Sequence, residues 1–182
     1  MPPLHAACRK GEYATVKKLL EAKADANAGN AANMGITPLQ YACEVGDLDV
    51  AKLLFEHGAD ADKADDEGST ALQLACAEGH VAVAKMLIAE GVDVANTLGC
   101  TALYLACGFG HVDAVKLLLE HGADSTKATN NGMTPLEVAR RKGQEDIVKL
   151  LLNKPSAKRS KPKAPAMSSE ALAEATSKAD AV

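Results

Sequence analysis

Tryptophan is absent, and only two Phe and three Tyr occur in 182 residues. The apolar content, 47 % of the chain, is therefore carried mainly by Ala, Leu and Val. That is enough for one domain with a sizeable core, built from thin helices that pack closely. No stretch nears the ~18 apolar residues that a membrane-spanning helix needs. The opening, MPPLHAACRKGE, reaches charge by Arg9 and holds no long apolar run, so it does not read as a secretory leader. The expectation is a cytoplasmic and/or nuclear protein, where thiols stay reduced. Five cysteines, an odd number, also argue against a full disulfide framework. A net charge of −4 argues against direct nucleic-acid binding. Neither a Gly-x-x-x-x-Gly-Lys-Ser/Thr loop nor a Gly-x-Gly-x-x-Gly turn is present to cradle phosphates.

The chain aligns with itself instead. TPLQYACEVGDLDVAKLLFEHGAD starts at Thr37, TALQLACAEGHVAVAKMLIAEGVD at Thr70 and TALYLACGFGHVDAVKLLLEHGAD at Thr101. A last copy, TPLEVARRKGQEDIVKLLLNK, starts at Thr134, and a first, PPLHAACRKGEYATVKKLLEAKAD, at Pro2. The offsets are 35, 33, 31 and 33 residues. Each copy reads as helix, turn, helix, loop. Thr37, Thr70, Thr101 and Thr134 suit the N-cap, and Pro38 and Pro135 the first helical position. Leu39, Ala42 and Cys43 then share one helical face, and Gly46 marks the end of that helix. A second stripe follows in Val50, Ala51, Leu54 and Phe55. One copy cannot bury its own apolar face, whereas stacked copies can, which predicts a one-dimensional solenoid.

These residues closely resemble the ankyrin-repeat family. The resemblance covers residues 2–152 in five in-phase units, near 2–36, 37–69, 70–100, 101–133 and 134–152. It rests on the T-P-L-x-x-A opening, the Gly-His turn, the K-L-L-L second helix and the G-A-D exit. It implies an all-α solenoid of stacked helix-turn-helix units with short β-hairpin loops. It also implies a concave face that binds other proteins, and no catalysis.

Arg140 stands where Cys8, Cys43, Cys76 and Cys107 stand in earlier copies, and Glu145 where Leu48, Val81 and Val112 stand. Charge at a position otherwise covered by the next copy predicts a terminal, capping unit. The first inter-unit connection is two residues longer than the family pattern and the third two shorter. Both changes fall in the hairpin finger. They read either as a tuned binding edge or as tolerated loop drift, since length changes in exposed loops cost little.

Cys107 and His111 lie four residues apart, as do Cys76 and His80. Metal ligation or a thiol–imidazole nucleophile would be the chemical readings. The repeat argues against both. Equivalent thiols on packed helices should lie ~8–10 Å apart. That is too far for one zinc, whose ligands sit within ~5 Å of each other, or for a disulfide. The ladder of Cys8, Cys43, Cys76 and Cys107 suits small buried hydrophobes. His80 and His111 begin second helices, where the family's His makes turn hydrogen bonds; His5 sits at another of its turn-bonding positions. His57 and His121 suit helix C-termini. No catalytic residue, metal site or cofactor is expected. Cys100 differs: it follows Gly99 in a finger and is expected to be exposed and reactive.

Family geometry would place the finger tips and the ends of the first helices on the concave side. The partner-binding candidates are Met34, Ile36, Glu44, Val45, Asp66, Glu67, Glu78, Leu98, Cys100, Phe109 and Met133. Leu98, Cys100, Phe109 and Met133 would cluster, with Glu44, Asp66, Glu67 and Glu78 as an acidic patch beside them. Phe109 is the chief anchor, an aromatic at a position with no structural duty. The expected partner is a protein or peptide with a basic segment, bound by a monomer acting as an adaptor or scaffold. The alternative is a stoichiometric inhibitor or assembly chaperone. Residues 153–182, rich in Lys, Pro, Ala and Ser, are expected to be a disordered basic tail. Within it, KRSKPK at 158–163 reads either as a nuclear-import signal or as a solvated linker.

Overall fold

The computed structural model describes residues 1–92 and 100–153. The disordered tail, the import signal and Leu98 were expectations that lie outside these residues. Ten helices run through the described chain: α1 Pro3–Arg9, α2 Tyr13–Glu21, α3 Pro38–Val45, α4 Leu48–Glu56 and α5 Ala71–Ala77. There follow α6 Val81–Ala89, α7 Ala102–Phe109, α8 Val112–Glu120, α9 Pro135–Arg141 and α10 Glu145–Leu152. Odd-numbered helices pack on one another in order as an inner layer, and even-numbered helices do so as an outer layer. The fold is the all-α ankyrin solenoid that the repeats predict.

The inner helices α3, α5, α7 and α9 start at the expected threonines, Thr37, Thr70, Thr101 and Thr134. Thr37 accepts from the Gln40 backbone N–H, and Gln40 Oε1 accepts in return from Thr37 N at 2.7 Å. Thr134 and Glu137 form the same reciprocal pair. Leu39, Leu72 and Leu103 enter the core beside Ala42, Ala75 and Ala106, all essentially buried. Small Ala and Cys side chains let the inner helices approach one another. At Gly108 the approach is tight enough that a Cβ would lie 3.3 Å from a Val138 methyl.

The fingers are closed loops more than strands. Among the described residues the only bridge is Asn30 with Ile36. The second finger closes by backbone bonds from Asp65 N to Ser69 O and from Gly68 N to Asp65 O, and the fourth by bonds from Thr129 N to Met133 O and from Gly132 N to Thr129 O. The longer first finger is a built feature. Asn30 is buried within it, and the Asn33 amide donates to the Tyr41 hydroxyl at 2.6 Å. Tyr41 is only 2 % exposed, whereas Leu74 and Leu105, its counterparts in later units, are half-buried. The extra finger residues thus cover a larger side chain and satisfy its hydroxyl.

Arg140 and Glu145 are exposed.

Candidate functional site

The residue before the turn glycine of each unit forms a row along the inner helices: Lys10, Val45, Glu78, Phe109 and Lys142. All five are exposed. The local backbone explains why. Gly46 and Gly110 take left-handed conformations, φ 79° and 87°, which turn the chain sharply from inner to outer helix. The side chain just before the turn is left facing outward.

The row is held in place from the next unit. Asp47, His80, His111 and Gln144 each lie over the turn glycine of the unit before, Gly11, Gly46, Gly79 and Gly110. His80 Nε2 donates to the Glu44 carbonyl at 3.1 Å, and His111 Nε2 to the Ala77 carbonyl at 2.8 Å. The two histidines therefore stitch turn to turn. His57 and His121 cap the ends of α4 and α8, donating from Nδ1 to Leu53 and Leu117 carbonyls, each at 2.9 Å. His5 donates from Nε2 to the Ala28 carbonyl at 2.7 Å. Each His is committed to backbone. Among the described residues no group of three His, Cys, Asp or Glu is placed to hold a metal.

Phe109 is 63 % exposed, the most open of the large apolar side chains among the described residues. Val45 and Met34 are also open, at 47 % and 54 %. Met34 sits at the first finger tip with φ +49°, a strained conformation for a residue with a side chain. Its carbonyl accepts from Asp66 N at 2.9 Å, which joins the first and second fingers. Glu44, Asp66, Glu67 and Glu78 are all exposed. None has an ion-pair partner among the described residues, where the pairs are Lys10–Glu12, Lys116–Asp113 and Lys149–Asp146.

Between the second and fourth fingers lies a groove of about 480 Å³. Glu67 and Ser69 form one wall, Asn130 and Met133 the other, and Tyr104 and Leu105 the floor. Cys100 also lines it, but is half-buried where the sequence suggested an exposed thiol. Its carbonyl accepts from the Gln73 side chain, which draws this part of the loop onto the inner helices. Ile36 and Met133 are likewise half-buried against the core, so each offers an edge and not a full side chain. The Met133 thioether accepts from the Tyr104 hydroxyl at 3.4 Å.

Burial pushes the Cys8, Cys76 and Cys107 thiols up to about 12 and the Cys43 thiol higher still. Such thiols are poor nucleophiles at neutral pH.

Sequence reasoning missed Gln40, Gln73 and Tyr104. All three sit three residues after the Thr cap and reach the following finger. The Thr-x-x-Gln spacing of a capping box was the available signal for the two glutamines.

The family described as ankyrin repeats (3 copies) matches residues 4–97 and 90–161. The 2-5A-dependent ribonuclease of Mus musculus is 46 % identical over 54 residues, which is 30 % of this chain and 7 % of that protein. The chain therefore spans a small part of that relative.

Proposed function

The chain belongs to the ankyrin-repeat family, and from that premise we propose that it is a non-catalytic adaptor which grips a protein partner along its concave face. Ankyrin repeats are in general protein-interaction modules, and the exposed row on this stack suits that work. The carrying observation is Phe109: an aromatic ring 63 % exposed at the end of α7. Solvent exposure of a large apolar group gains nothing for the folded monomer, while burial in a partner stabilises the complex by ~1.5–3 kcal/mol. Aromatic anchors of this kind dominate binding energies.

The chemistry around it selects the partner. Glu78 stands in the row and Glu44 beside its Val45, Asp66 and Glu67 tip the second finger, and all four lack an ion-pair partner among the described residues. A partner segment with an apolar side chain for Phe109 and Lys or Arg beside it fits this surface. Acidic rims of this sort raise association rates and make them salt-dependent.

The test is affinity purification from the native source with the wild-type chain and with Phe109→Ala. Loss of the same partner from the variant, with helical content unchanged, supports the reading. A folded variant that retains its partner at wild-type affinity overturns Phe109 as the anchor.

A further inference from the structure

The last outer helix is left open in a way its predecessors are not. In α8 the apolar residues Ala114, Val115, Leu117, Leu118 and Leu119 are all buried. Their counterparts in α10 are Ile147, Val148, Leu150, Leu151 and Leu152, and only Ile147 is buried. Leu152 is 57 % exposed, against 8 % for Leu119. The groove between α8 and α10 is also wide, about 720 Å³, where that between α2 and α4 is about 290 Å³ and that between α4 and α6 about 350 Å³. Val112, Leu119 and Leu150 line it, and Asn153, the last described residue, stands at its edge. The inner helix of this unit carries charge at Arg140, and α10 opens with Glu145 where α8 has Val112, but from Ile147 onward α10 keeps the apolar pattern of an internal outer helix.

The chain continues from that edge. Residues 166–182, AMSSEALAEATSKADAV, contain neither Gly nor Pro and six alanines, a composition that favours helix. Ser168 or Ser169 can cap, and Glu170 falls in the first turn where a negative charge is favourable. Ala171, Leu172, Ala175, Ala179 and Val182 then fall on one helical stripe. Glu170, Glu174 and Lys178 fall on another, with Glu174 and Lys178 at the favourable i, i+4 spacing. Alone, such a short helix is marginal in water. An apolar surface to cover supplies what it lacks.

We propose that residues 168–182 form a further helix that docks back on α10 and closes the outer layer. Leu172 covers the Leu150 and Leu152 side, and the small alanines allow a close approach. Reach is no obstacle: the 14 residues 154–167 span up to about 50 Å when extended, several helix diameters. Charge is balanced at the rim, where Lys116 and Lys149 stand beside Glu120 and Asp146, so the apolar contact carries the docking. Docking would hold the basic stretch at 158–163 in a loop tethered at both ends.

Amide hydrogen exchange on the full chain tests this, with Leu172→Glu and Leu152→Glu as variants. Leu152 is exposed, so its substitution leaves the repeats folded. The expected result is exchange about tenfold or more slower than free-chain rates at residues 171–180. Both variants should return those amides to free-chain rates while α9 keeps its protection, and sedimentation should give a single chain throughout. Free-chain exchange at 171–180 in the wild-type protein overturns the proposal. Protection that survives Leu152→Glu also overturns it, by placing the helix elsewhere. Protection that fades on dilution together with a halved mass overturns it in favour of a second copy covering α10.

Discussion

Gln40 donates its side-chain amide to the carbonyl of Ser69, 2.5 Å away and 29 residues further along the chain. The other end of the same carboxamide accepts from Thr37 N at 2.7 Å. One buried side chain thus starts its own helix and holds the finger that leads into the next unit. Gln73 repeats the arrangement between Thr70 and Cys100. Gln40→Met keeps the volume and removes both bonds, leaving a buried donor and acceptor unpaired. The expected loss is about 2–4 kcal/mol of unfolding free energy, measured by urea denaturation. Glu137 caps the final unit with no finger beyond it among the described residues, so Glu137→Met should cost visibly less.

The first unit should be the pH-sensitive one. His5 is buried, and burial holds its imidazole below the usual value despite the bond to the Ala28 carbonyl. Its Nδ1 has no partner among the described residues. In units two and three, Gln40 and Gln73 accept at this point from the N–H of Thr37 and Thr70. In unit one the cap is Pro2, which has no N–H to offer. The unfolded chain, with the higher pKa, takes up the proton first. Stability from His5 is therefore full above pH ~6.5 and falls as the pH drops below that value. Amide protection in α1 and α2, measured relative to free-chain rates at the same pH, should fall between pH 7 and 5, and His5→Gln should flatten that dependence. An equal loss of protection in α7 and α8 would contradict it.

Two glycines with nearly the same backbone should respond differently to alanine. Gly46 has φ +79°, and a Cβ there would lie 2.4 Å from His80 Nδ1. Gly58 has φ +80° with nothing within 4 Å. Gly58→Ala carries only the left-handed penalty, ~1–2 kcal/mol. Gly46→Ala adds a clash and displaces the His80 bond to Glu44, for about 2–4 kcal/mol in all. Thermal unfolding of the two variants side by side measures the difference.

The thiols should divide four to one. Cys8, Cys43, Cys76 and Cys107 are buried and held largely protonated, while Cys100 is half-buried at the groove. Native protein at pH 8 should take up one equivalent of an alkylating reagent, at Cys100, with four more only after denaturant. Peptide mapping by mass spectrometry reads the site, and early labelling of Cys76 or Cys107 would contradict the buried ladder.

Much of this was legible in the chain because a repeat states its own grammar several times. Thr37, Thr70, Thr101 and Thr134 announce helix starts, Gly46 and Gly110 announce turns, and Arg140 and Glu145 announce an end. The Cys76–His80 and Cys107–His111 spacings could be dismissed as chemistry by comparing copies. What was not legible lies between units. Whether Ile36, Cys100 and Met133 face solvent depends on how far each finger leans on the next inner helix. That lean is set by contacts such as Gln73 to the Cys100 carbonyl and Tyr104 to Met133, between residues 27 and 29 positions apart. The role of the long first finger was open for the same reason, since Tyr41 differs from Leu74 and Leu105 only once its Asn30 and Asn33 partners are folded over it.

The most direct test of the concave-face account is site-specific photocrosslinking. A photoreactive phenylalanine analogue would replace Phe109 at the end of α7 or, separately, Tyr13 at the start of α2 in the outer layer. The account predicts a crosslinked partner from position 109 that salt weakens, and none from position 13. Equal crosslinking from both positions, or from position 13 alone, would contradict it.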